Sequence, residues 1–339
     1  MPAATLGERV KGWVSANAEH AVVRFFPDPG GAPLEAGEGY LRLWLVEGFL
    51  AKQKKWATKY FPALHGGVVL NFLGSEDTSF TKFTKQGASL AVPGAFLNYP
   101  MTSLIPFAGG TVEVEAELYQ VTAGSPLDTA VTIAGGLASL IGPPLSVAAT
   151  VAEKVSTGIN AVLDSQKEHP VLAVHQALSS LGGGGELLRP GYLAVVNDLP
   201  AAARASLHVE DGRLHGAAGQ LTGCDFLLLR IECREERDDW RFPTLEQLRR
   251  QAIDAYHSER FEEFEKLKKL AIAEVFNSAD FTESDAFRVA AYLKASFEKV
   301  TEFGVVPDHE NSTLDPIPVH LLPDRFEVAE LTLADLLRF

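Results

Sequence analysis

The chain has 339 residues, 46% of them hydrophobic and 22% charged, with a formal net charge of -14. That balance supplies a sizeable core and excludes wholesale disorder. The acidic surplus argues against nucleic acid as a partner, because neutralising phosphate needs a basic surface.

The first segment shows no apolar core of the signal-peptide type, so a cytoplasmic location is expected. Leu6, Val10, Trp13 and Val14 have the spacing of a short amphipathic helix. Strands are expected over His20–Phe26, Tyr40–Leu50 and Gly67–Leu73, rich in β-formers, with Gly/Pro clusters at Pro27–Pro33, Gly66–Gly67 and Pro93–Gly94 marking breaks between them. In Thr111–Val121, Val112, Val114, Ala116 and Leu118 alternate with Glu113, Glu115 and Glu117. This predicts a strand with one buried face and one acidic face.

One stretch breaks the acidic trend. Lys52, Lys54, Lys55, Lys59, Lys82 and Lys85 interleave with Trp56 and other aromatics, and between residues 52 and 85 the only acids are Glu76 and Asp77. Lys52, Lys54, Lys55, Trp56, Lys59, Lys82 and Lys85 are therefore the candidate partner-binding residues. Lysines that protect a strand edge are the structural alternative.

The pattern changes at Ser125-Pro126. Thr129–Ala152 carries no charge, and Gly142-Pro143-Pro144 divides it into two helices, the second over Leu145–Leu163. A third helical piece is expected over Val171–Leu181, ending in Gly182–Gly185. Strands then resume at Gly191–Asn197 and Cys224–Arg234. Asp211-Gly212 predicts a hairpin between Ala205–Glu210 and Arg213–Ala217. Cys224 and Cys233 lie nine positions apart, about 30 Å along a strand, beyond disulfide reach. Free thiols suit a reducing compartment.

Glu232, Glu235, Glu236, Asp238 and Asp239 read as a solvated linker. Beyond it, Thr244 with Gln247 looks like a capping box. One helix carries Phe261, Phe264, Leu267, Ala271 and Val275 on a stripe, and another starts near Thr282. The tail from Gly304 contains prolines and is acidic, with eight acids against two arginines between Thr301 and Phe339, and ends in a short docking helix at Leu331–Phe339.

The fold class expected is α+β: an antiparallel β-sandwich-like body with an inserted apolar helical hairpin, then a small helical C-terminal module. The boundaries are 1–235 for the body, with the helical insertion at about 126–181, 236–303 for the helical module and 304–339 for the tail.

No catalytic motif stands out. H-E-x-x-H, G-x-S-x-G and a phosphate loop are all absent from the sequence. Cys224 sits beside Asp225, which disfavours a thiolate. His208 and His215 flank the Asp-Gly turn near Glu210, a zinc-type donor set, but the reading taken is a solvent-facing pair without metal. No catalytic residue, metal ligand or cofactor is therefore assigned. The expected function is a non-enzymatic interaction or scaffold protein in a larger intracellular assembly, binding a protein partner or another copy of itself. The alternative is a membrane-acting, pore-forming effector that uses the uncharged hairpin and the lysine stretch. A second alternative is a hydrolase whose site is assembled from distant residues.

Overall fold

Leu6 and Val10 lie one helical turn apart and are both buried, on helix α1 (Leu6–Asn17). Strands β1 (Ala21–Pro27), β2 (Tyr40–Phe49), β3 (Lys54–Lys55), β4 (Thr58–Asn71), β5 (Thr78–Lys85), β6 (Tyr99–Pro100), β7 (Ile105–Pro106) and β8 (Thr111–Thr122) follow. Helices α2 (Pro126–Ala138) and α3 (Leu145–Gln166) interrupt them before β9 (Leu172–Ser179), β10 (Glu186–Leu187) and β11 (Gly191–Asn197). The short α4 (Ala201–Arg204) leads into β12 (His208–Glu210), β13 (Arg213–Gly216), β14 (Gly219–Gln220) and β15 (Phe226–Arg234). Helices α5 (Pro243–His257), α6 (Phe261–Asn277), α7 (Glu283–Phe303), α8 (Arg325–Val328) and α9 (Leu333–Leu337) complete the chain.

The computed structural model describes residues 5–17, 20–51, 54–55, 58–71, 78–85, 98–138, 145–166, 169–180, 185–304, 317 and 319–338. The fold is mixed helix and antiparallel sheet, an α+β arrangement. One six-stranded sheet runs β1-β11-β15-β2-β6, with β7 also on β2. The other runs β10-β9-β8-β4, with β3 and β5 both on the side of β4 away from β8. Among the described residues only β9 and β10 pair in parallel. A single apolar cluster takes Leu41, Leu43 and Leu45 from β2, Leu227 and Leu229 from β15, Val112 and Val114 from β8, and Leu64 and Val68 from β4. Both six-stranded sheets thus feed one core.

Four expectations change. Residues 172–179, within the stretch read as a third helix, form strand β9, paired with β8 from Leu118↔Leu172 to Thr111↔Ser179. Leu172, Val174 and Leu178 enter the core, so period two fits once β8 lies alongside. The helical part of the expected 126–181 insertion accordingly ends at Gln166. Gly66-Gly67 is not a break but the middle of β4. A Cβ on Gly66 would stand 3.3 Å from Ala116 Cβ, Glu115 O and Met101 Cε, so close packing rather than a turn uses the glycine. Helix α5 begins at Pro243 with Phe242 as its N-cap residue, placing Thr244 inside the helix; proline suits the first helical position because its missing N–H needs no partner there.

The acidic run before α5 keeps Glu235, Glu236, Asp238 and Asp239 exposed, as expected of a solvated segment, but it is anchored to β2. Arg42 holds Asp238 through two hydrogen bonds of 3.0 and 2.6 Å, and Trp44 Nε1 donates to Glu232 at 2.6 Å. Arg237 is buried, donates to the Asp280 carbonyl at 2.5 Å and lies over the Tyr40 ring.

A buried polar knot ties β2 to α7. Tyr40 Oη donates to Asp285 Oδ2 at 2.6 Å and accepts from the Thr282 amide at 3.1 Å. The Thr282 side chain caps α7 through the Asp285 amide, and Arg288 donates to Asp285 Oδ1 at 2.9 Å. Burial, reinforced by Asp285, pushes the Tyr40 phenol well above its ordinary range and keeps it a donor. Y40F should therefore cost about 1–3 kcal/mol, the penalty of leaving buried partners unsatisfied. D285A should cost more, about 3–5 kcal/mol, because it strands the Arg288 cation. Urea unfolding measures both; equal, negligible losses would show that the knot is not holding the segments together.

Candidate functional site

The lysine stretch has its backbone at one side of the second sheet. Lys54 is the register partner of Lys59, while Lys82 and Lys85 of β5 stand opposite Gly66 and Ala63 of β4. Lys54, Lys55, Lys59, Lys82 and Lys85 thus lie on neighbouring strands. Lys52 and Trp56 fall outside the described residues, as do Pro93–Gly94 and the Gly142-Pro143-Pro144 turn.

Helices α2 and α3 pack against β5. Leu127, Val131 and Ala134 of α2 and Ile159 and Leu163 of α3 bury against Ala63, Tyr119 and Val121 of the sheet. Between them the helices leave an apolar cleft of about 480 Å³ lined by Ala130, Ile133, Ala134, Val155, Gly158 and Ile159, with Lys154 the one charged residue among its described lining. Ile133 is 59% exposed. Among the described residues no helix is long and apolar enough to cross a membrane.

The acidic face of β8 is covered rather than solvated. Glu117 is 0% and Glu115 4% exposed. Helix α1 lies over β8 and β9, and Asn160 brings α3 into contact with it. Arg9 of α1 donates to Glu117 Oε1 and Oε2 at 3.3 and 3.2 Å and to Asn160 Oδ1 of α3 at 2.7 Å. Tyr119 Oη donates to Glu117 Oε2 at 2.9 Å. His65, the register partner of Glu117, is completely buried in the same seam. Of these residues the sequence marked only Glu117, as part of an acidic face, because Arg9, His65, Glu117, Ser156 and Asn160 come from four elements far apart in the chain.

Glu117, His65 and Ser156 stand in the acid–imidazole–hydroxyl order of a nucleophilic triad. His65 Nδ1 is 3.3 Å from Glu117 Oε2, and His65 Nε2 is 3.4 Å from Ser156 Oγ. Arg9 Nη2, however, lies 3.2 Å from the same Nδ1. A guanidinium can only donate and a carboxylate only accept, so Nδ1 bonds to one of the two; with Arg9 as its nearer partner, Nδ1 is unprotonated and the proton sits on Nε2. Nε2 then donates to Ser156 instead of taking its proton, the reverse of what activation requires. Ser156 and His65 are both buried, and neither lines the α2–α3 cleft. The arrangement serves to fill the seam between α1, α3 and the sheet.

Nearby, His175 spans two acids, Nδ1 at 3.3 Å from Glu115 Oε1 and Nε2 at 3.6 Å from Glu113 Oε2. Burial raises the Glu115 carboxyl above its ordinary range, opposed by His175 and Lys11. Both cysteines are free thiols. Burial pushes Cys233 up to about 12 and raises Cys224 too, with Asp225 contributing. Neither provides a thiolate at neutral pH.

No protein-family model matches the chain, no curated protein matches its sequence, and no solved structure matches its fold.

Desolvation lowers the His65 pKa below its ordinary 6.5, so the folded chain keeps this imidazole neutral where the unfolded chain protonates it. The unfolded state then binds more protons, and stability falls as pH drops below about 6.5, by up to about 1.4 kcal/mol per pH unit from this group. Unfolding free energies of wild type and His65→Gln, followed downward from neutral pH, should diverge in slope. Parallel curves would show that the buried imidazole is not the acid-sensitive group.

Proposed function

We propose that the protein is a non-enzymatic assembly component whose copies associate head to tail. The observation that carries this reading is the open apolar α2–α3 cleft, with Ile133 exposed at 59%, beside the lysine-bearing strands. A matching surface exists on the same chain. Phe261 is 55% and Phe303 63% exposed, and Glu262, Glu263 and Glu302 beside them are exposed acids. Tyr256 places both at one end of the helical segment, its ring 5.7 Å from that of Phe261 and its hydroxyl bonded to the Thr301 carbonyl. An apolar, acidic knob thus complements an apolar cleft lined in part by Lys154.

This reading takes the two large sheets as layers of a sandwich-like body, α2–α3 as its insertion and residues 236–303 as the helical module. Free cysteines suit work in a reducing, cytoplasmic setting. A contact between two different surfaces of one chain is heterologous and builds rings or filaments rather than stopping at a two-fold dimer.

Helix α9 is not the docking element, because it already packs on α6 and α7 with Leu336 buried. Removing the tail would also strip Ile317 and Leu322 from the helical core. Point variants on each surface are the sharper test. At low salt, light scattering of wild type should give masses above 36.6 kDa that rise with concentration and fall with added salt. I133D and F261D should each stay at 36.6 kDa, and a mixture of the two should give twice that mass, because each variant retains the surface the other lacks. A wild type that stays monomeric throughout, or a mixture that does, would contradict the proposal.

A further inference from the structure

The hairpin of β12 and β13 brings three metal-ligating side chains onto one face. His208 and His215 are direct register partners, and Glu210 lies two residues from His208 on the same side of its strand. The two imidazole rings are 5.5 Å apart, and Glu210 Oε2 is 3.4 Å from His215 Nδ1. One ligand atom from each residue can be chosen so that all lie within 4.8 Å of one another. A tetrahedral zinc ion with ligands at about 2.0–2.1 Å needs ligand separations of about 3.3 Å. The side chains have only to close inward: His208 and Glu210 are exposed and can rotate toward the half-buried His215.

The backbone beneath them is fixed. Asp211 and Gly212 take φ values of 50° and 70°, the left-handed pair that a type I′ turn requires. Leu214 is fully buried on the opposite face, with Val209 packed against the same cluster. The hairpin therefore cannot rotate its histidine face away without exposing that cluster.

A second observation points to a metal rather than to a chance histidine pair. His208 Nδ1 lies 2.9 Å from the Ser206 carbonyl. A carbonyl only accepts, so Nδ1 carries the proton and Nε2 is left with its lone pair available. Orienting an imidazole through its other ring nitrogen is the usual arrangement around a bound metal. In the Glu113–Glu115–His175 group one carboxylate would have to orient the imidazole, which leaves a metal one nitrogen and one carboxylate, a donor fewer than on the hairpin.

We propose that His208, Glu210 and His215 form a divalent transition-metal site, suited to zinc, with its fourth position open to water or an outside ligand. Two neutral imidazoles and one carboxylate are a borderline donor set that favours zinc over magnesium or calcium. Arg213, the one arginine or lysine on this hairpin, stands opposite Glu210 in the register.

Zinc chloride titrated calorimetrically into the full-length chain tests this. One equivalent should bind. H208Q and H215Q should each weaken binding by ~10–100-fold or more, as even outer-sphere losses do, while H175Q leaves it unchanged. Cobalt(II) should give the intense visible bands of tetrahedral coordination in wild type and lose them in H208Q. Thermal unfolding of the metal-free variants should match wild type, since these side chains are surface residues. Absence of zinc binding, binding retained in H208Q and H215Q, or binding lost only in H175Q would each overturn the assignment.

Discussion

One ion pair decides how this protein is covered. Strand β8 turns Glu113, Glu115 and Glu117 away from the sheet core, and two separate helical elements close over that face. Burying Glu117 completely would cost several kcal/mol if its charge were unmet. Arg9 meets it with two hydrogen bonds, and the same guanidinium continues to Asn160. A single cation thus links α1, the sheet and α3. The Tyr119 hydroxyl donates from a further direction, so the carboxylate meets donors from two side chains. Once α3 is seated, α2 packs beside it, and the apolar cleft between them is a consequence.

The knot at Tyr40 applies the same logic at the other end. Asp285 is fully buried yet receives Tyr40, Arg288 and its own capped helix start. In both places a carboxylate is removed from water where chain segments meet, and a guanidinium and a tyrosine hydroxyl compensate it. Such joints contribute less to net stability than to fixing which surfaces meet, because a misdocked helix would leave a buried charge unpaired. In the assembly proposed above, such joints would hold the cleft and the acidic knob in a set relation within each copy.

The sequence disclosed elements whose signal is local. The alternation in β8, the Asp-Gly hairpin, the start of α3 at Leu145 and the Thr282 cap all depend on near neighbours and stand where patterning puts them. Where pairing partners decide, the local signal misleads. Leu172–Ser179 contains residues that suit a helix, and only β8 alongside makes it a strand. Gly66 resembles a turn residue until the closeness of Ala116 and Met101 is seen. The buried seam was the least legible part. An arginine on a short amphipathic helix reads as a solvated charge, and a glutamate alternating with valine reads as an exposed face. Only the tertiary contact shows that each is the other's partner. The hairpin histidines were visible in sequence, but their register and the Ser206 hydrogen bond are what give them a metal-binding geometry.

The most direct test of this account is a double-mutant cycle on Arg9 and Glu117. R9M, E117Q and the double variant would be unfolded in urea at neutral pH. If the pair holds both covers on the sheet, each single variant strands a buried polar partner, and the double variant loses less than the sum, with an interaction energy of about 0.5–3 kcal/mol. Additivity within about 0.5 kcal/mol would contradict the account, because it would mean that α1 and α3 cover the acidic face without depending on each other's charge.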